Sequence, residues 1–399
     1  MWKRSDNSME LIKITFKLPP RGLLVRDFVI AAISSIIEDT TIKSIKNEGD
    51  RIVIEVPLGM ESYVLNQMFQ MAKKIAERKY EHMPSPMLVG NDANVVKKFQ
   101  KETKMSINKE ISLLDFALRV LEWASEESCN ITSKFLMSYN FIQEKTSTLV
   151  LGGDEYAALQ LFKVEKYEYG KDFLRDYEAI KMQIKHDVYW LALLMAGLSL
   201  TYSGRIDNEL VFIAVPEDFA FYEREAKTTT HLFFSLPTRI LHSEISSIAS
   251  RIGFVDPIFA FLQLISYALT REWYRDFDLK LLSQAPIQIY RVRPGQTYTL
   301  VEKNIADLVP FVRFAYKLLI NSGNRGESAL AKIENLLRNY YKLDYSNYYS
   351  ISMKLYQTIL GSYDVYNLIY ELGRLLAPIT CKKIFNEGEI KAIVDVFAT

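Results

Sequence analysis

Sulfur and imidazole are scarce in this chain. Its 399 residues include two cysteines, Cys129 and Cys381, and four histidines. The cysteines stand far apart, so no disulfide framework is encoded, and the usage fits a reducing interior. His82, His186, His231 and His242 show none of the spacings that hold zinc: no HxxxH, no HExxH, no Cys/His pairing. No metal site is expected from them. Phosphate-cradling glycine loops are also missing, both the P-loop and a GxGxxG behind a strand. There is no GxSxG elbow, and no cysteine sits beside a histidine in the context of a known nucleophile. No cofactor is implied.

Neither sign of charge dominates. Lys and Arg total 49 against 48 Asp and Glu, a formal net charge of +1. No global field draws the chain to nucleic acid or membrane, so such binding needs a local patch. The best membrane candidate, VYWLALLMAGLSLTY at 188–202, is shorter than the roughly 20 apolar residues a spanning helix needs. Charged segments flank it, so it reads as a buried core helix, with no membrane partner. The opening MWKRSDNSMELIKITF has basic residues but no apolar core or small-residue cleavage site. A cytoplasmic location is expected, with residues 1–8 disordered. The many Ile, Lys, Glu and Tyr residues point to a heat-adapted protein.

What is present is apolar surface: 49% of residues are hydrophobic, enough for two or three domains. ELIKITFKL alternates as a half-buried strand does, and LLVRDFVIAAISSIIED is apolar on a helical period. TIKSIKN and RIVIEVPL read as strands across the turn NEGD, and MESYVLNQMFQMAKKIAERKY as an amphipathic helix. The order β-α-β-β-α is most of a ferredoxin-like unit, assigned to residues 9–105. A central mixed α/β domain is assigned to 106–302. Within it, residues 171–204 read as one long helix and ELVFIAVPED as a buried strand. From 303 to 399, short Gly, Asn and Pro breaks separate helical segments, as in a helical bundle. The fold class is α+β.

The sharpest catalytic candidate is LVLGGDEYAAL, Leu149 to Leu159. Gly-Gly-Asp-Glu on a hairpin is how nucleotide cyclases and palm domains present acids to metal ions. A two-metal site needs carboxylates from separate elements about 4 Å apart, and neighbours on a strand point to opposite faces. The upstream acids Asp115, Glu122, Glu126 and Glu127 fall in expected helix. Asp154 and Glu155 therefore read either as a tight hairpin turn, with Gly152 and Gly153 supplying positive φ, or as part of a palm-like nucleotidyl transferase or cyclase.

Three basic clusters are candidates for phosphate. Lys97, Lys98, Lys101 and Lys104 follow a proline-rich break, and 97, 101 and 104 share a face if helix forms there. Arg291 and Arg293, at i and i+2 of a strand before Pro294, share a face that Tyr298 on the returning strand can join. They can hold phosphate and stack a base, or pair with nearby acids at an exposed tip. Asn324 and Arg325 in SGNRGES lie ahead of a helix start, where free N–H groups favour anions. The alternatives are a solvated helix face and an ordinary loop.

The order of segments carries a resemblance. After the β-α-β-β-α start come WLALLMAGLSLTYSGRIDNELVFIAVPED, then IQIYRVRPGQTYTLVEKNIADLVPFVRFAYKLL, then a bundle ending LYQTILGSYDVYNLIYELGRLL. This resembles the large subunit of the archaeal type I-A CRISPR surveillance complex, Cascade. The resemblance implies a non-catalytic antiviral-defence subunit that holds the 5′ handle of the crRNA. It also implies binding to double-stranded target DNA, reading of the protospacer-adjacent motif, contact with other Cascade subunits, and recruitment of the helicase-nuclease. It supplies no residue pattern, so the nucleic-acid-binding candidates stay those of the basic clusters.

Overall fold

The computed structural model describes residues 10–37, 39–82, 85–88, 90–108, 110–136, 142–145, 148–153, 156–167, 183–206, 209–214, 217, 286–295, 297–307, 309–339, 354–374 and 385–398. The segment assigned to an N-terminal tail, 1–8, lies outside them, as do His231, His242 and Cys381. The chain is mixed α+β and divides into two compact units. One is residues 1–246 with 288–304, the other 247–287 with 305–399.

The first unit begins β1 (Leu11–Lys17), α1 (Leu24–Ser34), β2 (Ser44–Asn47), β3 (Arg51–Pro57), α2 (Glu61–His82). Its sheet runs β1-β3-β2, antiparallel throughout, with Ile14 opposite Ile54 and Ile45 opposite Ile54. The alternation in β1 turns Ile14 and Phe16 inward, fully buried, and leaves Lys13 exposed. Three helices follow: α3 (Asn91–Thr103), α4 (Leu113–Glu126), capped by the Ser112 hydroxyl accepting from the Asp115 N–H, and α5 (Ser128–Leu136).

A second sheet, order β4-β5-β7-β6, is built from β4 (Ile142–Lys145), β5 (Thr148–Leu151), β6 (Tyr156–Ala157) and β7 (Gln183–His186). A third, order β11-β10-β9-β8, joins β8 (Tyr202–Ile206), β9 (Glu209–Ala214), β10 (Pro286–Arg293) and β11 (Thr299–Asp307). Between them runs α6 (Val188–Thr201), starting at Asp187, whose carboxylate accepts from the Trp190 N–H at 2.8 Å. Of the long helix expected over 171–204, residues 171–182 lie outside the described ones, Gln183–His186 is a strand, and helix runs only from Val188 to Thr201, capped by Asp187.

α6 is apolar on every side, and every residue except Tyr189 is buried. That matches the core helix read from VYWLALLMAGLSLTY. Among the described residues no helix is long and apolar enough to cross a membrane. α6 packs most extensively on α1, and Gly197 makes the contact possible: a Cβ there would lie 1.8 Å from the Phe28 carbonyl oxygen. Phe28 also meets Phe162 and Phe212, centroids 6.0 and 5.6 Å away.

In the second unit, α7 (Val309–Ser322) and α8 (Asn324–Asn339) are separated by Gly323 alone, at φ +50°. Further helices among its described residues include α9 (Val365–Arg374) and α10 (Glu387–Ala398). Gly326 lets α8 approach α7, since a Cβ there would meet the Leu318 carbonyl oxygen at 2.0 Å. Asn386 and Glu389 form a reciprocal capping box at the start of α10, with N–H to side-chain distances of 2.7 and 2.8 Å. Glu389 is buried and also takes Lys332 of α8 at 2.6 Å.

Candidate nucleic-acid interface

The strongest basic pair in the sequence, Arg291 and Arg293, does share one face of β10, as the alternation requires. Neighbouring strands bring it acids. Arg291 reaches Glu209 of β9 at 2.7 Å and Glu302 of β11 at 2.9 Å, and Arg293 reaches Glu209 at 2.7 Å. Burial opposes the charge of Arg291, but Glu302 and Glu209 together hold its guanidinium above its ordinary value. Two cations thus meet two carboxylates, one of them, Glu209, buried. Of the two possibilities open in the sequence, phosphate holding or acid pairing, this geometry has the second. An incoming phosphate would have to displace a buried carboxylate. Tyr298, just ahead of β11, is 5% exposed, and burial pushes its phenol up. Its ring is enclosed and offers no open face on which a base could stack.

α3 is the contrary case. Val95, Val96 and Phe99 are buried, with Phe99 packed edge-on against Phe116 and Trp123 of α4 at 5.6 and 5.7 Å. Asp92 anchors the other end. It is buried, accepts the Gln160 N–H at 2.8 Å, and is raised by that burial while Lys163 offsets part of the cost. Lys97, Lys101 and Lys104 are exposed. At about 100° per residue they fall on one face. None of the three pairs with a carboxylate among the described residues. Lys104 closes the helix at φ +60°, a left-handed cap unusual for a residue with a side chain. Lys98 turns inward and is half-buried, so it does not join the stripe.

Asn324 and Arg325 are exposed, but no loop precedes the helix as expected from SGNRGES. They are the first two residues of α8, and Gly323 completes the last turn of α7 through its N–H to Leu319 at 2.9 Å. Glu327 in the same turn satisfies the preference there for negative charge. These two residues belong to the second unit, and all the other candidates to the first.

The strands that flank Gly-Gly-Asp-Glu are not paired as a hairpin. β5, which leads into it, pairs parallel with β7, and β6, which leaves it, pairs antiparallel with the other edge of β7. The two strands are not neighbours, so among the described residues they do not make the paired ribbon of a palm site. Gly152 does have the positive φ expected, +93°, for a reason unseen in the sequence. A Cβ there would lie 2.0 Å from the Asp187 carboxylate, which also accepts the Gly153 N–H at 3.2 Å. Gly152 clears room for a helix cap. Asp154 and Glu155 lie outside the described residues. His186, at the end of β7, is fully buried, and burial lowers it to about 4, so it is neutral. Among the described residues no group of three His, Cys, Asp or Glu side chains can hold a metal ion.

Sequence reasoning passed over the buried charges of the first unit and the lysines of its first sheet. Arg26, 4% exposed, grips Glu217 with two hydrogen bonds of 2.8 and 2.6 Å and donates to the carbonyls of Pro19 and Gly49. Beside it Asp27 accepts from the Tyr290 hydroxyl. Lys79 of α2, fully enclosed, donates to Ser199 and Leu200 carbonyls at the C-terminus of α6, at 2.7 and 2.9 Å. The signal for the first pair was visible: charges inside the apolar run LLVRDFVIAA must find partners when buried. No protein-family model matches the chain, and no curated protein matches it.

Proposed function

We propose that this chain is the non-catalytic large subunit of an archaeal type I-A CRISPR surveillance complex. In this reading it works in the cytoplasm with crRNA, double-stranded target DNA, other Cascade subunits and the helicase-nuclease. Guide pairing reads the target sequence, and the protein reads a short flanking motif and the backbone. The β1-α1-β2-β3-α2 order with β3 between β1 and β2 supports a ferredoxin-like unit within residues 9–105, followed by a mixed centre to 302 and a bundle to 399. The observation that carries nucleic-acid binding is the stripe Lys97, Lys101 and Lys104 on a helix fixed to the core by Phe99 and Asp92. Unpaired lysines on a rigid element supply the sequence-independent phosphate contacts that dominate affinity. Arg291 and Arg293 contribute little to binding in this reading, because their acids stay with them.

The test is binding by the full chain to crRNA bearing its 5′ handle and to duplexes with and without a flanking motif. Lys97→Gln with Lys101→Gln and Lys104→Gln should lower affinity about tenfold at moderate salt. Unchanged affinity removes α3 from the interface. Binding indifferent to every flanking sequence removes motif reading. Turnover of ATP or GTP with Mg²⁺ that Asp154→Ala abolishes would replace the proposal with the cyclase reading.

A further inference from the structure

The sheet β1-β3-β2 is apolar on one face only. Ile14, Phe16, Ile52, Ile54 and Val56 are fully buried on the inner side, where Phe16 meets Phe135 of α5. The register sorts the other face into rows: Lys13, Glu55 and Ser44, then Thr15, Val53 and Lys46, then Lys17 beside Arg51. Lys43 adds a further cation where the chain enters β2. The Lys13 side chain is 67% exposed, Lys43 and Lys46 are exposed, and Lys17 is half-buried. Arg51 is taken by Glu48 at 3.4 Å and Asp50 at 3.0 Å on the β2–β3 turn. Four lysines and one carboxylate, Glu55, stand on or beside these rows; Lys13 and Lys46 act on Glu55, and Lys17 lies toward Asp50 at the turn.

That carboxylate decides the partner. Glu55 accepts from the Ser44 hydroxyl at 2.7 Å and sits 3.5 Å from Lys13. Those two groups hold it below the usual carboxylate range, so it stays an acceptor at neutral pH. Among phosphates a carboxylate repels; facing a ribose it accepts from the 2′-hydroxyl, the group that separates RNA from DNA. No aromatic side chain stands on these rows, so bases have nothing to stack on.

We propose that this sheet face tracks the sugar-phosphate backbone of single-stranded RNA, with Lys13, Lys17, Lys43 and Lys46 meeting phosphates and Glu55 accepting from a 2′-hydroxyl. This rests on the nucleic-acid reading above and adds a site distinct from α3. The partner is recognised by backbone chemistry, so affinity tolerates changes of base sequence.

The experiment compares the full chain with two variants on a labelled mixed-sequence RNA strand and its DNA counterpart, across salt. Lys13→Gln with Lys17→Gln and Lys46→Gln should lower RNA affinity at least about tenfold and flatten the slope of log K against log salt by about 2, three contacts at about 0.7 each. Glu55→Ala should narrow the RNA-over-DNA preference about threefold or more, the worth of one hydrogen bond. If the lysine variant does not fold, Lys43→Gln with Lys46→Gln on the edge strand carries the same test. RNA affinity unmoved by these lysines overturns the site, the result expected of a face that serves an acidic protein. The nucleic-acid reading still stands in that case if the α3 variant weakens binding. A Glu55→Ala variant with unaltered preference overturns the assignment to RNA. No RNA binding by the wild-type chain overturns both.

Discussion

Within the first unit, cations are treated in two opposite ways. On α3, Lys97, Lys101 and Lys104 project into solvent with no carboxylate among the described residues. In the interior and along the third sheet, each positive group has a partner: Arg26 has Glu217, Arg291 and Arg293 have Glu209 and Glu302, and Lys79 has two helix carbonyls. The difference is one of desolvation. A charge taken out of water must recover its hydration from fixed partners, whereas an exposed lysine keeps its water and stays available. Availability for phosphate therefore follows exposure and the absence of a buried acid partner in three dimensions, and not the density of Arg and Lys along the chain.

The largest effect expected from the enclosed side belongs to Asp27. Burial raises its carboxyl from 3.8 to about 6, with Tyr290, Lys303 and Arg26 working against the shift. Between those values the folded protein holds a proton that the unfolded chain has lost. Stability from this group is therefore present at about pH 4 and is lost as pH rises through 6, by about 3 kcal/mol for the two-unit shift. Asp27→Asn should remove that slope while keeping an acceptor for the Tyr290 hydroxyl. Urea unfolding from pH 4 to 7 measures it, and parallel profiles for wild type and variant would show that Asp27 is not desolvated.

Lys79 gives the mirror image. Burial lowers its ammonium from 10.5 to about 7. Above pH 7 the unfolded chain alone keeps that proton, so stability should rise with pH, by about 2 kcal/mol between pH 7 and 9. Lys79→Met should abolish the rise, and unfolding at pH 7, 8 and 9 reads it out. The carbonyls it serves lie at the negative end of α6, where a cation is favoured. That geometry explains why a lysine occupies a fully enclosed position.

Much of this fold was legible in the sequence because it rests on local periodicity. The alternation of LIKITFK placed β1 and even sorted its lysines from its isoleucines, and the all-round apolarity of VYWLALLMAGLSLT marked a core helix. What was not legible depends on contacts between distant segments. Glu217 lies 191 residues from Arg26, and Glu209 lies 82 from Arg291. No spacing rule anticipates such a meeting. Gly-Gly-Asp-Glu shows the same limit: the positive φ expected at Gly152 is there, but no hairpin turn is, because β7, reached some thirty residues later, separates the two flanking strands. The lysines of the first sheet were missed for another reason. They are spread over three strands, and only the register of β1, β3 and β2 gathers them.

The third sheet offers a way to exchange one treatment for the other. Glu209→Gln removes the acid shared by Arg291 and Arg293 and leaves Glu302 alone with Arg291. Breaking a fully buried pair costs about 3 to 5 kcal/mol. Here Arg293 keeps 55% of its side chain exposed, so about 2 kcal/mol is expected by thermal or urea unfolding. The freed Arg293 guanidinium should at the same time raise affinity for RNA or DNA at low salt. Lost stability without gained affinity would mean that availability needs more than release from an acid.

The smallest stability change belongs to the exposed side. Lys97→Gln with Lys101→Gln and Lys104→Gln removes no partner and disturbs no buried contact, so unfolding should shift by less than about 0.5 kcal/mol. The left-handed cap at Lys104 is kept, since glutamine strains that φ no more than lysine does. Binding should respond instead: the salt slope should flatten by about 2 on single strands and by more on duplex. A variant equally stable yet unchanged in salt slope would place α3 with the silent surface charges. The comparison would then turn on which exposed lysines lie beside a nucleic acid, with the first sheet as the remaining choice.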